Sequence, residues 1–345
     1  MPAKTLKILL VAGGDSAESD VSIHTGRAVF AALKERGHDV LVADPHRPYI
    51  PPTDEPGVFF DNAEVTETPP TFGSDVFVAR RRFINVVKDL EYLDRDVVFN
   101  ALHGGAGEDG TFQAVLDYLG VLYTGCGPRA CALAMDKELS KRLVAGAGVL
   151  VARHLYLDSK TDNIDDVDRQ LRGTLKLPAV VKPNNEGSSV GVTIVHTYNE
   201  LESAIHEARE FGGHYLIEEF IPGKEITIGI LDGEDLPALE IKPKKGFYDY
   251  RNKYQPGGCE YIVPAPLDTS VASALSSAAK FAYQVLGCRH YARIDFRVTD
   301  EGKPYFLEAN TLPGLTEGSL FPKSALGAGI VYRQMVDKIL RLAML

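Results

Sequence analysis

Asp295 and Glu308 form the pair in this 345-residue chain whose spacing points most directly to chemistry. The segment Tyr291-Ala-Arg-Ile-Asp-Phe-Arg-Val298 alternates polar and apolar residues, Glu301-Gly302 supplies a turn, and Pro304-Tyr-Phe-Leu-Glu-Ala-Asn310 resumes an extended pattern. Strands paired around that turn put Asp295 opposite Glu308, and Arg293 opposite Asn310, on one face of a hairpin. Like charges directly opposite destabilise a sheet. A hard divalent cation held by carboxylate and amide oxygens would turn that repulsion into a site, and Mg²⁺ shared with substrate phosphates suits such a set. An exposed hairpin face would instead leave both acids solvated, and the segment alone leaves the two readings open.

Other segments carry chemistry of the same kind. Asn184-Asn-Glu-Gly-Ser-Ser-Val-Gly191 is a polar loop between two extended runs, so it is a hairpin tip and not a Walker A loop. Its backbone N–H groups could approach a phosphate closely, with Ser188 and Ser189 adding hydroxyl donors; most such tips are simply turns. In Tyr215 to Leu231, two strands flank Pro222-Gly223. The residues before that turn could offer backbone groups to a planar base while a nearby carboxylate takes a ribose, and an ordinary hairpin with a charged edge is the alternative. The loop from Gly246 to Gly258 has the length and polarity of a lid and carries four aromatic rings.

The elements that must position these residues read as two textures. Leu6 to Ala12 is a continuous apolar run expected as a buried parallel strand, broken by Gly13-Gly14. Ser22 to Arg36 is expected as a helix, Asp39 to Ala43 as a strand, Val97 to Asn100 as a strand leading into the loop His103 to Gly110, then a helix from Thr111 to Leu119 and a strand from Val121 to Thr124. This βαβ rhythm marks an open parallel sheet, whose ligands sit beyond the carboxyl ends of the strands, where His103 stands. The proline-rich stretch from Pro45 to Pro70 is expected as a surface connection. From Asp136 onward the pattern changes: a helix from Lys137 to Ala147, then strands Leu177 to Lys182 and Val190 to Val195.

Composition bounds the partners. A net charge of −10 argues against a nucleic-acid surface. The four cysteines lack zinc or CxxC spacing, which fits reduced thiols in a cytosolic protein. The first residues lack a signal-peptide pattern, and no transmembrane stretch is evident, so neither a membrane nor nucleic acid is expected as partner.

Seven motifs in order resemble the D-alanine–D-alanine ligase family of the ATP-grasp superfamily. They are Gly-Gly-Asp-Ser-Ala-Glu-Ser-Asp-Val-Ser (13 to 22), His-Gly-Gly-Ala-Gly-Glu-Asp-Gly (103 to 110), Ala-Leu-Ala-Met-Asp-Lys (132 to 137), Val-Lys-Pro-Asn-Asn-Glu-Gly-Ser-Ser-Val-Gly (181 to 191), Tyr-Asp-Tyr-Arg-Asn-Lys-Tyr (248 to 254), Arg-Ile-Asp (293 to 295) and Glu-Ala-Asn-Thr-Leu-Pro-Gly-Leu-Thr-Glu-Gly-Ser-Leu (308 to 320). The resemblance implies a mixed α/β and α+β chain: an open parallel α/β domain over residues 1 to 130, then a two-part ATP-grasp fold over 131 to 216 and 217 to 345, with the lid at 246 to 258. It implies ATP and Mg²⁺ or Mn²⁺ as cofactors, D-alanine as substrate, a cytoplasmic homodimer, and a product for peptidoglycan synthesis.

The resemblance also assigns roles. Glu18 would pair with the ammonium of the first D-alanine, with Ser188 and Tyr254 hydrogen-bonded to it; Arg293 would stabilise the oxyanion; His103, Gly314, Ser319 and Leu320 would complete substrate binding. Lys137, Lys182, Lys253 and the loop residues Glu186, Ser188 and Ser189 would face ATP phosphates, while Glu218, Glu219, Phe220, Ile221 and Glu225 would face adenine and ribose. Asp295, Glu308 and Asn310 would hold the metal. Three positions depart from the family pattern: Cys131 where Ser is common, Leu312 where a small or thioether residue is common, and Leu315 where Met is usual. Tyr254 favours an amine as nucleophile over a hydroxy acid. Ligation of another pair, such as D-alanine with D-serine or a secondary-metabolite dipeptide, remains the alternative, as does a nucleotide-binding module without ligation. A dinucleotide oxidoreductase is disfavoured because Gly13 to Glu18 lacks GxGxxG.

Overall fold

The computed structural model describes residues 5–14, 16–45, 50–57, 60, 94–211, 213–244 and 258–345. The apolar run at the start forms β1 (Lys7–Val11), which pairs in parallel with β2 (Asp39–Asp44) and, across its other edge, with β4 (Val97–Asn100). The short strand β3 (Ile50–Thr53) adds an antiparallel edge and gives the order β3-β2-β1-β4. It lies inside the stretch expected as a surface connection; its two prolines are tolerated because an edge strand need not donate on both sides.

The helix after β1, α1 (Ser19–Glu35), begins three residues before the expected start, with Glu18 at its N-cap position and Asp20 in a first turn that favours negative charge. Helices α2 (Gly105–Glu108), α3 (Thr111–Leu119) and α4 (Pro128–Met135) follow β4. The expected strand from Val121 to Thr124 reduces to a single parallel bridge between Val98 and Tyr123. Thr124 donates to Val98, but Gly125 then takes a φ of 93° and turns the chain away before a ladder can build.

Helix α5 (Lys137–Gly146) is capped by the Asp136 carboxylate, which accepts from Leu139 N at 2.9 Å. Beyond the two-residue strand β5 (Leu150–Val151), strands β6 (His154–Asp158), β7 (Ala179–Pro183), β8 (Thr193–Val195) and β9 (His214–Glu219) make an antiparallel sheet in the order β6-β9-β7-β8. Helices α6 (Ile164–Thr174) and α7 (Leu201–Glu210) bury Val167, Leu171, Leu201 and Ile205 against Val181, Tyr215 and Ile217 of that sheet. The strand expected from Val190 starts only at Thr193, because Ser188, Ser189 and Gly191 all adopt left-handed φ and spend the preceding residues on the turn.

The third sheet runs β13-β12-β10-β14-β15-β5, from β10 (Lys224–Leu231), β12 (Leu239–Pro243), β13 (Cys259–Ile262), β14 (Tyr291–Val298) and β15 (Pro304–Asn310), with β11 (Glu234–Asp235) beside β10. Helix α8 (Thr269–Val285) packs Leu275, Ala279 and Ala282 on the face that carries Ile228, Ile294 and Phe296. Strands β9 and β10 flank Pro222-Gly223 as expected, yet they are not partners: β9 ends in the second sheet and β10 opens in the third. Strand β9 runs through residues 216 and 217, so the passage between sheets falls at Phe220 to Gly223.

Helices α9 (Leu320–Gly327) and α10 (Tyr332–Leu342) return to the first sheet. Phe321, Met335, Ile339 and Leu340 share one core with Leu10, Val29, Leu33 and Phe99. The two ends of the chain therefore stabilise one another. Leu340→Ala removes a fully buried side chain and is expected to cost about 2–5 kcal/mol, read as a lower urea midpoint with an unchanged m-value.

Candidate active site

The three sheets meet around a cavity of about 290 Å³, and Glu18, His103, Lys137, Glu186, Ser188, Arg293, Glu308, Asn310, Gly314, Ser319 and Leu320 all line it. These residues span some 300 positions of sequence and come from all three parts of the chain. Lys182, Ser189, Glu218, Glu219, Phe220, Ile221, Glu225 and Asp295 are not among its described lining residues. Lys253, Tyr254 and nearly all of the expected lid lie outside the described residues.

The hairpin forms in the expected register, Asp295 against Glu308 and Arg293 against Asn310. A bulge follows Asp295, and Phe296 pairs with Phe306, so Leu307 is the extra residue that shifts the register. Arg293 chelates Asp295 through Nε to Oδ1 at 2.9 Å and Nη2 to Oδ2 at 2.7 Å, and Thr227, opposite Asp295 on β10, donates to Oδ1 at 2.6 Å. Lys137 Nζ stands 3.6 Å from Glu308 Oε2 and also donates to the Glu186 carbonyl. Each carboxylate of the pair thus has its own cation, which is how the cross-strand repulsion is relieved. The all-oxygen set of Asp295, Glu308 and Asn310 suits a hard divalent cation by donor type. Such a cation and Arg293 would compete for the same two oxygens of Asp295.

On the opposite wall, Ser188 Oγ donates to Glu18 Oε1. The approach is close enough that a Cβ on Gly187 would lie 2.6 Å from Glu18 Oε2, so a larger residue there would push that carboxylate aside. Glu18 is held at the start of α1, and Ser188 reaches it through a φ of 48°. His103 is buried, 2.9 Å from Thr25 Oγ1, and burial lowers its pKa, so the ring is neutral near pH 7. Ser319 stands at the N-cap position of α9 with its hydroxyl 2.8 Å from Thr316 Oγ1 and not on the helix backbone; a Cβ at Gly314 would sit 2.9 Å from that hydroxyl.

Behind the cavity, Glu218 on β9 is buried with Lys182 on Oε1 and Lys141 on Oε2 at 2.8 Å. Burial alone would raise this carboxyl, but Lys141 and Lys182 hold it down to about 2. Burial lowers the pKa of Lys137 and of Lys141, partly offset by Glu308 and Glu218 respectively. Glu186 is pushed up to about 6 by burial. The strip leading to β10 is clamped by Arg297, which donates to Ile221 O at 3.1 Å and Gly223 O at 2.7 Å, faces Glu225 at 3.5 Å and stacks on Phe220. Glu219 pairs with Arg153 at 3.2 Å.

Comparison with known proteins places the chain. Family models described as D-ala D-ala ligase N-terminus and C-terminus match residues 7–126 and 143–341. The chain belongs to the D-alanine–D-alanine ligase family. It is 39% identical over 344 residues to the D-alanine–D-alanine ligase of Halalkalibacterium halodurans, covering 98% of this chain and 99% of that one. It is 40% identical over 343 residues to the enzyme of that name from Geotalea uraniireducens, covering 99% and 97%. Among solved structures it resembles the D-alanine–D-alanine ligase of Bacillus anthracis complexed with ATP, with TM-score 0.76, 31% identity and coverage of 99% and 98%. It also resembles the VanG D-Ala:D-Ser ligase of Enterococcus faecalis, with TM-score 0.80, 29% identity and coverage of 99% and 100%. The ATP-grasp architecture expected from the motifs is thereby established. Among the described residues no helix is long and apolar enough to cross a membrane.

Several residues of this ligase-family site went unmarked in the sequence. Lys141 sits one helical turn after Lys137, and that i,i+4 spacing was the available signal. Arg297 and Thr227 announce themselves only through pairing across β10 and β14. Glu108 lies within the glycine-rich loop motif; burial and the neighbouring Glu18 push its carboxyl up to about 8 while Gly104 N donates to it at 2.9 Å. A folded-state pKa above the unfolded value means the folded protein binds more protons, so stability falls as pH rises from about 4.5 to about 8. Glu108→Gln should flatten that decline, and thermal unfolding should find it more stable than wild type at pH 8 with the difference vanishing near pH 4.

Proposed function

We propose that this chain joins two D-alanine molecules to D-alanyl-D-alanine at the expense of ATP. The observation that carries the reading is the convergence, in one cavity, of a carboxylate fit to take an ammonium, a helix N-terminus fit to take a carboxylate and a lysine, Lys137, fit to take a phosphate, in a chain that matches ligases of that name along 98% of its length.

The first D-alanine would present its ammonium to Glu18 and its carboxylate toward Arg293. Transfer of the γ-phosphoryl group of ATP to that carboxylate gives ADP and an acyl phosphate, a mixed anhydride whose carbonyl is open to attack. The amine of the second D-alanine, having lost a proton, then adds to the carbonyl; the tetrahedral intermediate collapses with loss of inorganic phosphate and the peptide bond remains. Arg293 opposes the negative charge that develops on the carbonyl oxygen. The N-terminus of α9, with Ser319 and Leu320 lining the cavity, offers N–H donors and a favourable dipole to the carboxylate of the second substrate. Gly314 leaves room for it. His103, neutral and buried, keeps an uncharged wall beside Glu18.

Lys137 and Lys182 would meet the phosphates with Glu186, Ser188 and Ser189 at the loop tip, and Glu218 to Glu225 would face the base and ribose. Mg²⁺ or Mn²⁺ held by Asp295, Glu308 and Asn310 would neutralise charge on the phosphates when bound. The segment 246–258, with Lys253 and Tyr254, would close over the site and protect the acyl phosphate from water. D-Serine as second substrate is the runner-up, favoured by the likeness to the D-Ala:D-Ser ligase.

The test is phosphate release by the purified protein, required to depend on both ATP and D-alanine, with one ADP per dipeptide by mass spectrometry. Binding of ATP without turnover in the presence of D-alanine and Mg²⁺ would rule the reading out, and a dipeptide mass containing serine would correct the substrate. Glu308→Gln is expected to lose turnover by about 10³-fold or more while its circular dichroism stays that of wild type.

A further inference from the structure

Two buried lysines close on the single carboxylate of Glu218, and they are not equivalent. Lys182 belongs to β7, where Val180 is the residue directly opposite Glu218, so Lys182 is its diagonal neighbour on the same sheet face; its side chain is 9% exposed. Lys141 comes from α5, its side chain is 0% exposed, and its ammonium lies 2.8 Å from Glu218 Oε2 and 3.5 Å from the Phe306 carbonyl. That carbonyl is on β15 of the third sheet, whereas Glu218 is on β9 of the second. Lys141 is therefore held from both sides, whereas Lys182 keeps a little exposure.

Charge sharpens the difference. Glu218 is met by two cations, Lys141 and Lys182, while Lys137 stands between Glu308 and Glu186, so Glu218 keeps a counter-ion if one of its two lysines turns to another anion. Were Lys182 the sole partner of Glu218, moving it onto a ligand phosphate would strand a buried carboxylate, a costly outcome. With Lys141 in place, it can move without that penalty.

We propose that Lys141 is a positioning residue, the fixed counter-ion of Glu218, which keeps that carboxylate ionised and oriented and so leaves Lys182 exchangeable onto the phosphates of ATP. This rests on the reading of the chain as an ATP-dependent ligase.

The test uses the full-length protein in four forms, wild type, Lys141→Met, Glu218→Gln and the double variant, with ATP binding by calorimetry and ligation kinetics with D-alanine. Lys141→Met is expected to weaken ATP binding and raise the KM for ATP by about tenfold or more, with kcat at saturating ATP within about threefold of wild type. In the Glu218→Gln background the same substitution should change ATP affinity by less than about twofold, because Lys141 acts through the carboxylate already removed. Unchanged ATP affinity in Lys141→Met, a loss confined to kcat, or full additivity in the double variant overturns the proposal. If Lys141→Met fails to fold, the double variant, which removes both buried charges, is compared with Glu218→Gln alone: equal affinity supports the proposal and a further tenfold loss overturns it. A wild type that binds no ATP refutes the ligase reading itself, whereas a wild type that binds ATP beside an indifferent Lys141→Met refutes only the role of Lys141.

Discussion

Ionised side chains buried where three sheets converge must each be met by an opposite charge, and the architecture around the cavity answers to that demand. The hairpin of β14 and β15 sets Asp295 against Glu308, a pairing that costs free energy unless each acid has its own cation. Arg293 takes the first and Lys137 the second. Glu218, deeper still, takes two lysines. Because removing one member of a buried pair leaves the other stranded, these contacts are coupled, and the elements that carry them cannot move independently without cost.

Helix α5 is the element through which that coupling runs. Asn184 accepts the first N–H groups of the helix: Lys137 N donates to Asn184 O at 3.2 Å and Glu138 N to Asn184 Oδ1 at 3.0 Å. Lys137 and Lys141, on one face, then reach toward β15 and β9. One short helix thus ties the loop tip of the second sheet to the hairpin of the third. The first domain contributes Glu18, at the start of α1, and its core is completed by α9 and α10, so the wall of the cavity that carries Glu18 is built on the shared core of both chain ends.

Local pattern made much of this legible. The alternation around Glu301-Gly302 was enough to pair Asp295 with Glu308 and Arg293 with Asn310, because strand periodicity and a tight turn leave few registers. The buried run of β1, the helix from Thr111 to Leu119 and the hairpin tip at 184 to 191 were readable for similar reasons. The failures share a cause: Val121 to Thr124 has strand-like residues, yet Gly125 diverts the chain after one bridge. Strands β9 and β10 read as a possible hairpin around Pro222-Gly223, yet each found its partners elsewhere: β9 between β6 and β7, β10 between β12 and the distant β14.

Residue types and short-range periodicity were sufficient for most of the elements, for the motifs and for the family to which the chain belongs, since those depend on neighbours along the backbone. They marked many of the acids and bases that line the cavity, Glu18, His103, Lys137, Glu186, Arg293 and Glu308 among them, but not Lys141 or Glu108. Which of those groups share a cavity, and in what protonation state, depended on contacts between residues far apart in sequence. Glu108 holds its proton near neutral pH because folding removes it from water beside Glu18, 90 positions away. Glu218 stays ionised because the fold delivers two lysines to it. Desolvation and Coulomb attraction act through space, and neither can be read along the chain.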